Sequence, residues 1–189
     1  MANEGPKVPA VRSGRRWTAV LIGVLVLGIG GLLLVYPNAW YAFRLMRAPK
    51  PVHLLVPVQG VPARGLADTW NAPRSGGRHH QGIDIFAPKG TPIRSPVEGL
   101  VLRVGHNHLG GNIVKVLGPG AQVHYFAHLK AFGPVAEGMR VAPGDVLGYV
   151  GLSGNAVGTP PHLHYGIYDL PGGATNPYPL LAPVKGSVR

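Results

Sequence analysis

Five side chains suited to metal binding and proton transfer occur in three short segments of the sequence. They are His80, Asp84, His128, His162 and His164. Each lies in a run that predicts a β-strand, where residues two or four positions apart share a face. Two of the histidines and the carboxylate, on neighbouring strands, would provide three ligands for a divalent first-row ion, and this donor set favours zinc with an open fourth position. The other two histidines could then transfer protons, so the set suits hydrolysis by metal-activated water.

The composition limits both the fold and the chemistry around these residues. A chain of 189 residues allows one ordinary domain and a short appendage, and its 29 glycines and 20 prolines favour short strands and tight turns over a helical bundle. The chain has no cysteine, which excludes a thiolate metal site, a disulfide scaffold and a cysteine nucleophile. Much of the formal net charge of +11 precedes Pro51, and no nucleic-acid motif is present, so nucleic acid is not an expected partner.

The N-terminal segment predicts a membrane anchor. Residues 17–36 carry no charge, and about 20 apolar residues suffice for a helix to cross the hydrocarbon core. The basic residues of the preceding tail, 1–16, place that tail in the cytoplasm. A cleaved secretory signal is the alternative, but the apolar run is long and no good cleavage site follows it directly. The rest of the chain is therefore expected to face outward.

Beyond the anchor, the sequence predicts a spacer, one domain and a tail. Residues 37–56 form the juxtamembrane and proline-rich spacer, residues 57–182 the domain and residues 183–189 the C-terminal tail. In the domain, short apolar runs alternate with turns rich in glycine and proline. The predicted strands are 82–86, 99–104, 112–117, 122–128, 146–150 and 163–168. The predicted fold class is all-β and mostly antiparallel, a folded-over sheet or β-sandwich, with one N-terminal transmembrane helix.

Three motifs, in this order, resemble the lysostaphin-type zinc metallopeptidases, the glycyl-glycine and murein endopeptidases of bacterial cell walls. They are Arg78-His79-His80-Gln81-Gly82-Ile83-Asp84, Phe126-Ala127-His128-Leu129 and Gly158-Thr159-Pro160-Pro161-His162-Leu163-His164. The resemblance implies that one zinc ion per chain is held by three ligands: His80, Asp84 and His164. It also implies that His128 and His162 are the catalytic pair.

The activity implied by the resemblance is that of a membrane-anchored zinc metalloendopeptidase acting on bacterial peptidoglycan. It would hydrolyse a cross-link or stem peptide from the inner (cytoplasmic) membrane, as a single-pass protein whose catalytic domain faces the periplasm. Its expected partners are peptidoglycan peptides and the membrane. The alternative is a non-catalytic wall-binding module that recruits or activates another peptidoglycan hydrolase. The complete set of five residues favours the enzyme.

Three further residues are candidates for substrate contact. Arg78 precedes His80 by two positions and could hold a substrate carboxylate, although a structural role in the ligand loop is favoured. Asn112 belongs to a segment predicted to border a narrow groove. His124 shares a face with His128 if the side chains of their strand alternate regularly, so it could line the same groove.

Overall fold

The computed structural model describes residues 14–181, and it is built mainly from short antiparallel strands. Two helices come first, α1 (Gly14–Val35) and α2 (Pro37–Arg47). The strands are β1 (Pro73–Arg74), β2 (Arg78–His79), β3 (Ile83–Phe86), β4 (Pro92–Arg94), β5 (Gly99–Asn107), β6 (Gly111–Gly118), β7 (Gln122–Phe132), β8 (Arg140–Val141), β9 (Val146–Val150), β10 (His162–Asp169) and β11 (Ala174–Thr175). A short helix, α3 (Tyr178–Leu181), ends the described part. The predicted tail at 183–189 and most of the tail at 1–16 lie outside the described residues.

The chain divides into two compact units, Met1–Trp40 and Tyr41–Arg189. In the first unit, residues 17–31 of α1 are all exposed. Among the helices of the described range, none has the combined length and apolar character of a membrane span. The membrane anchor and its orientation stay a prediction.

The second unit is organised around one nine-stranded sheet. Its strand order is β11-β10-β7-β6-β5-β8, with β3 paired to β10, β4 to β9, and β9 to β7. All of these pairings are antiparallel, which confirms the mostly antiparallel β fold. β1 and β2 form a separate two-stranded ribbon. Each of the six predicted strands is present, whereas the strands of two or three residues were too short to predict.

The middle strand, β7, changes its partner near its centre. Residues 122–127 pair with β10, and the stretch from Leu129 to Phe132 pairs with β9. The ladder is irregular on both sides of this point, between Asn112 and Val114 in β6 and between Leu129 and Ala131 in β7. Irregular pairing of this kind bends a strand and redirects its side chains.

Successive side chains of β10 alternate between the hydrophobic core and the opposite face of the sheet. Leu163, Tyr165 and Ile167 are completely buried in the hydrophobic core. His162 and His164 occupy the alternate positions and therefore point to the opposite face. Burying the apolar set fixes the register of β10, because a shift by one residue would exchange the two faces.

Two residues of the segment predicted as the juxtamembrane and proline-rich spacer, 37–56, contact the domain. Leu45 of α2 is completely buried. It packs with the side chains of Leu100, Leu117 and Val123. Lys50 Nζ forms an ion pair with Asp169 Oδ1 at 2.9 Å. The prolines prevent a long helix, but they leave the apolar side chains free to complete the core. The compact unit that contains the sheet therefore includes part of this segment, and the predicted domain bounds, 57–182, stay a prediction.

Candidate active site

The five residues singled out in the sequence meet in one open groove of about 1340 Å³. All of them line it: His80, Asp84, His128, His162 and His164. The groove lies on the face of β7 and β10 that points away from the core, and the chain before β3 borders it. The structure thus brings together side chains that are up to 84 positions apart in the sequence.

Three of these side chains direct one atom each toward a common point. His80 Nε2 lies 2.8 Å from His164 Nδ1 and 3.1 Å from Asp84 Oδ1. His164 Nδ1 lies 3.3 Å from the same carboxylate oxygen. In a tetrahedral zinc site with bonds of about 2.0–2.1 Å, neighbouring ligand atoms are separated by about 3.3 Å. The observed separations are close to this value, so the three side chains fit a small divalent ion.

The surrounding chain fixes how two of these side chains face that point. His80 Nδ1 donates a hydrogen bond to the carbonyl oxygen of Thr69 at 2.7 Å, which leaves the lone pair of Nε2 directed inward. The Asp84 backbone N–H donates to Thr69 Oγ1 at 3.0 Å. Arg74 Nη2 donates to Asp84 Oδ2, so the carboxylate presents only Oδ1 to the cluster. Carbonyl and charged partners of this kind orient the ligands of metal sites.

The Asp84 carboxylate is ionised at neutral pH. Its burial opposes ionisation, but the contacts with the side chains of His164, His80 and Arg74 outweigh burial and hold the pKa of Asp84 well below its ordinary value. The negative carboxylate of Asp84, between the imidazoles of His80 and His164, favours binding of a cation over binding of a neutral molecule at this position.

Gly82, between His80 and Asp84, allows β10 to come close. A Cβ atom at this position would lie 2.5 Å from the carbonyl oxygen of Tyr165 and 2.8 Å from His164 Cε1. Any larger residue would therefore push β3 and β10 apart. Because Gly82 has no side chain, the backbone between His80 and Asp84 can lie close to His164.

His128 reaches the groove through an unusual backbone conformation. Its φ angle is +65°, in the left-handed region, which histidine enters more readily than most residues. Regular alternation would turn it toward the core, since Tyr125 and Ala127 already line the groove. The irregular pairing at this point of β7 reverses the direction of the side chain. Its backbone N–H donates to the carbonyl of Gly110 at 2.7 Å, which stabilises the reversal.

His128 and His162 lie side by side, with ring centroids 5.0 Å apart. Each donates from Nδ1 to a backbone carbonyl at 2.8 Å, His128 to Ser153 and His162 to Pro160. Nε2 of both rings therefore carries a free lone pair that can accept a proton. Burial lowers the pKa of His128 to about 4, so this ring is neutral at pH 7.

His124 does not line the groove, and the prediction that it shares the face of His128 is wrong. It is completely buried on the core face of β7, where Nδ1 lies 2.6 Å from Tyr165 Oη. The left-handed residue at 128 breaks the alternation on which the prediction relied. Burial lowers the pKa of His124 to about 4, so it is a neutral member of the core.

The other two candidates for substrate contact have partners within the protein. Arg78 borders the groove, but Nε donates to the Ser75 carbonyl at 3.2 Å, as expected for a structural role in the loop. Asn112 is not among the lining residues. Its backbone N–H donates to Ser153 Oγ at 2.9 Å, and the carbonyl of Ser153 in turn accepts from His128. Asn112 thus supports a candidate catalytic side chain and does not face substrate.

Four residues of the site were missed in the sequence: Thr69, Arg74, Lys115 and Tyr125. Thr69 lies outside the strands and Arg74 belongs to the two-residue strand β1, and neither segment is long enough for a periodicity that would indicate the direction of a side chain. Lys115 and Tyr125 could have been found from strand alternation. Each is next in sequence to a buried apolar residue of a predicted strand, so its side chain is expected on the opposite face of the sheet.

The chain is similar in sequence to known peptidases. The sequence profile of peptidase family M23 matches residues 78–177. The L-Ala–D-Glu endopeptidase of Bacillus subtilis (strain 168) is 43% identical over 124 residues, which cover 60% of this chain and 38% of the relative. The DD-carboxypeptidase/endopeptidase Mpg of Neisseria meningitidis serogroup B is 42% identical over 88 residues, covering 47% of this chain and 20% of the relative. This chain therefore spans less than half the length of either relative.

A solved structure shows the same fold. The catalytic domain of the antimicrobial peptidase lysostaphin from Staphylococcus simulans superposes with a TM-score of 0.57 at 26% sequence identity. The match covers 63% of this chain and 94% of that domain. Nearly the whole catalytic domain of the relative thus has a counterpart here.

Proposed function

The chain belongs to peptidase family M23, and from this premise we propose that it is a zinc metalloendopeptidase that hydrolyses peptide bonds of bacterial peptidoglycan. One observation carries the proposal. A cluster of three ligand atoms and two histidines with free Nε2 lone pairs share one groove. The relatives named above are endopeptidases whose names specify an L-Ala–D-Glu bond and a DD bond, and both names support peptidoglycan peptides as the substrate class.

The ligand set would be His80, Asp84 and His164. Zinc held there would lower the pKa of a water molecule and polarise the carbonyl of the scissile bond. The carboxylate of Asp84, whose second oxygen accepts a hydrogen bond from Arg74, would balance part of the charge of the ion. The paired hydrogen bonds of Thr69 keep the first two ligands in place.

His128 and His162 would carry the proton transfers. Nε2 of one ring accepts the proton of the attacking water, and the same or the neighbouring ring returns a proton to the departing amine. The carbonyls of Ser153 and Pro160 hold both rings with Nε2 toward the cluster, and they stabilise the charged form that exists between the two transfers. His162 Nε2 lies 3.9 Å from Asp84 Oδ1, which places this ring beside the ligand set.

The alternative, a non-catalytic wall-binding module, is not favoured. A module that only binds needs no ionised carboxylate between two imidazoles, and it needs no pair of histidines oriented by backbone carbonyls. Both features cost stability, because buried polar groups lose hydration. Their presence in the same groove supports catalysis.

Hydrolysis of purified cell walls tests this function. The full-length protein in detergent, loaded with zinc, should release soluble fragments with new free amino groups from purified peptidoglycan. A chelator should abolish the release, and added zinc should restore it. Fragments detected by mass spectrometry would also identify the bond. Absence of new amino groups, with stoichiometric zinc bound, would contradict the proposed activity.

We also propose that residues 17–36 hold the domain at the outer face of the inner (cytoplasmic) membrane. The segment is uncharged, basic residues precede it, and the apolar side chains of residues 17–31 are exposed on every side of α1. An apolar helix of this kind requires an apolar environment. The full-length protein should sediment with membranes, and protease should degrade the domain in intact spheroplasts. A protected domain, or a mature form that begins after Ala39, would contradict the proposal.

A further inference from the structure

The groove extends beyond the five-residue cluster, and this extension has an unbalanced positive charge. Among the described residues that line it, Asp84 carries the only carboxylate, and Arg74 pairs with that group. Arg78 is held by Ser75. Lys115, on β6, is the remaining cation, and none of the ion pairs of the described residues includes it.

The side chain of Lys115 lies over Tyr125, directly across from it on β7. Nζ is 5.7 Å from the centroid of the Tyr125 ring, so the ring holds the ammonium group near the groove. Tyr125 in turn contacts His164 edge to face, with the ring centroids 5.9 Å apart. These two contacts place Lys115 within about three extended residues of the ligand set, since a strand advances roughly 3.3 Å per residue.

The hydroxyl oxygen of Tyr125, a lining residue of the groove, accepts a hydrogen bond from within the protein. Gly110 N–H donates to Asn107 Oδ1 at 2.6 Å, which fixes the amide so that Nδ2 donates to Tyr125 Oη at 2.9 Å. Because the oxygen already accepts one hydrogen bond, the hydroxyl hydrogen is free for another acceptor. Burial raises the pKa of Tyr125, with the hydrogen bond from Asn107 acting in the opposite direction, so the phenol keeps its proton at neutral pH.

We propose that Lys115 and Tyr125 form a subsite that binds a free carboxylate of the peptide substrate. The proposal rests on the proposed peptidase function. The ammonium group of Lys115 and the hydroxyl of Tyr125 lie in one wall of the groove and can each donate to one oxygen of a carboxylate. A carboxamide would instead place its own N–H donor against one of these two donors. Peptides with an acidic residue within about three positions of the scissile bond would be preferred over their amidated forms.

Two synthetic peptides that differ in one group test the subsite. The first contains L-Ala–D-Glu with a free carboxylate, and the second has the same sequence with this carboxylate converted to the amide. Calorimetric binding to the full-length protein in detergent, with chelator present to prevent hydrolysis, should show about tenfold to hundredfold tighter binding of the first peptide. Lys115→Met should remove this preference. Tyr125→Phe should reduce it, and Lys89→Met, in an exposed turn outside the groove, should preserve it.

The outcomes separate the subsite from the proposed activity. Equal or undetectable binding of both peptides by the unaltered protein, or a preference that survives Lys115→Met, would overturn the subsite. A preference for the carboxylate without hydrolysis of cell walls would support the subsite and contradict the peptidase function. Thermal melting of each variant checks folding, and with zinc present the Lys115→Met effect should appear in KM for the acidic peptide rather than in kcat.

Discussion

Replacing any one of His80, Asp84 or His164 by alanine is expected to remove stoichiometric zinc from the purified protein. Their ligand atoms lie 2.8–3.3 Å from one another, and no fourth histidine or carboxylate of the described residues joins this group. Loss of a residue that merely orients a ligand weakens metal binding by about 10–100-fold, so loss of a ligand should exceed that factor. Metal analysis of the dialysed variants measures the effect.

His79→Ala is the matched control for these three variants. His79 is the neighbour of His80 in the sequence, but it is exposed and its Nδ1 lies 3.2 Å from the carbonyl of Asn71. It should retain zinc at the level of the unaltered protein. Near-stoichiometric zinc in a His80, Asp84 or His164 variant would remove that residue from the ligand set.

Variants of His128 and His162 are expected to keep zinc and lose turnover by about 10²–10⁴-fold, the usual effect of removing an acid–base group. Their Nε2 atoms are not part of the ligand cluster, and their Nδ1 atoms are occupied by backbone carbonyls. His128→Asn is the preferred change at the first position, because asparagine tolerates a φ angle of +65° better than alanine does.

The second variant is His162→Ala, with His106→Ala as the control at an exposed position of β5. The rate of release of amino groups from cell walls and the zinc content are measured on the same preparations. If His128→Asn or His162→Ala loses its metal, that histidine is a ligand and the division of roles is incorrect. If either retains full turnover with zinc bound, it is not an acid–base group.

The candidate site was predictable from the sequence where the strands are regular. In β10, apolar residues alternate with His162 and His164, and the structure places both on the groove face. Asp84 and His164 stand directly opposite each other across β3 and β10. Local alternation is enough for such pairs, because burial of one face fixes the direction of the other.

The prediction did not succeed where backbone geometry departs from regular strands. His124 and His128 are four positions apart, yet one lies in the core and the other in the groove, since the left-handed conformation at 128 intervenes. Leu45 lies in the part of 37–56 that was predicted to be juxtamembrane. Its burial depends on Leu100, Leu117 and Val123, which belong to strands far away in the chain.

The sequence by itself determined which residues could form the site and their order along the chain. These are four histidines and one aspartate in three motifs, together with short strands able to position them. These follow from residue type and period-two alternation, which are local properties. Only the tertiary structure decided that His128 turns toward the ligands and that Thr69 and Arg74 orient His80 and Asp84. Contacts of this kind join residues that are far apart in the sequence, and they form only when the whole core is assembled.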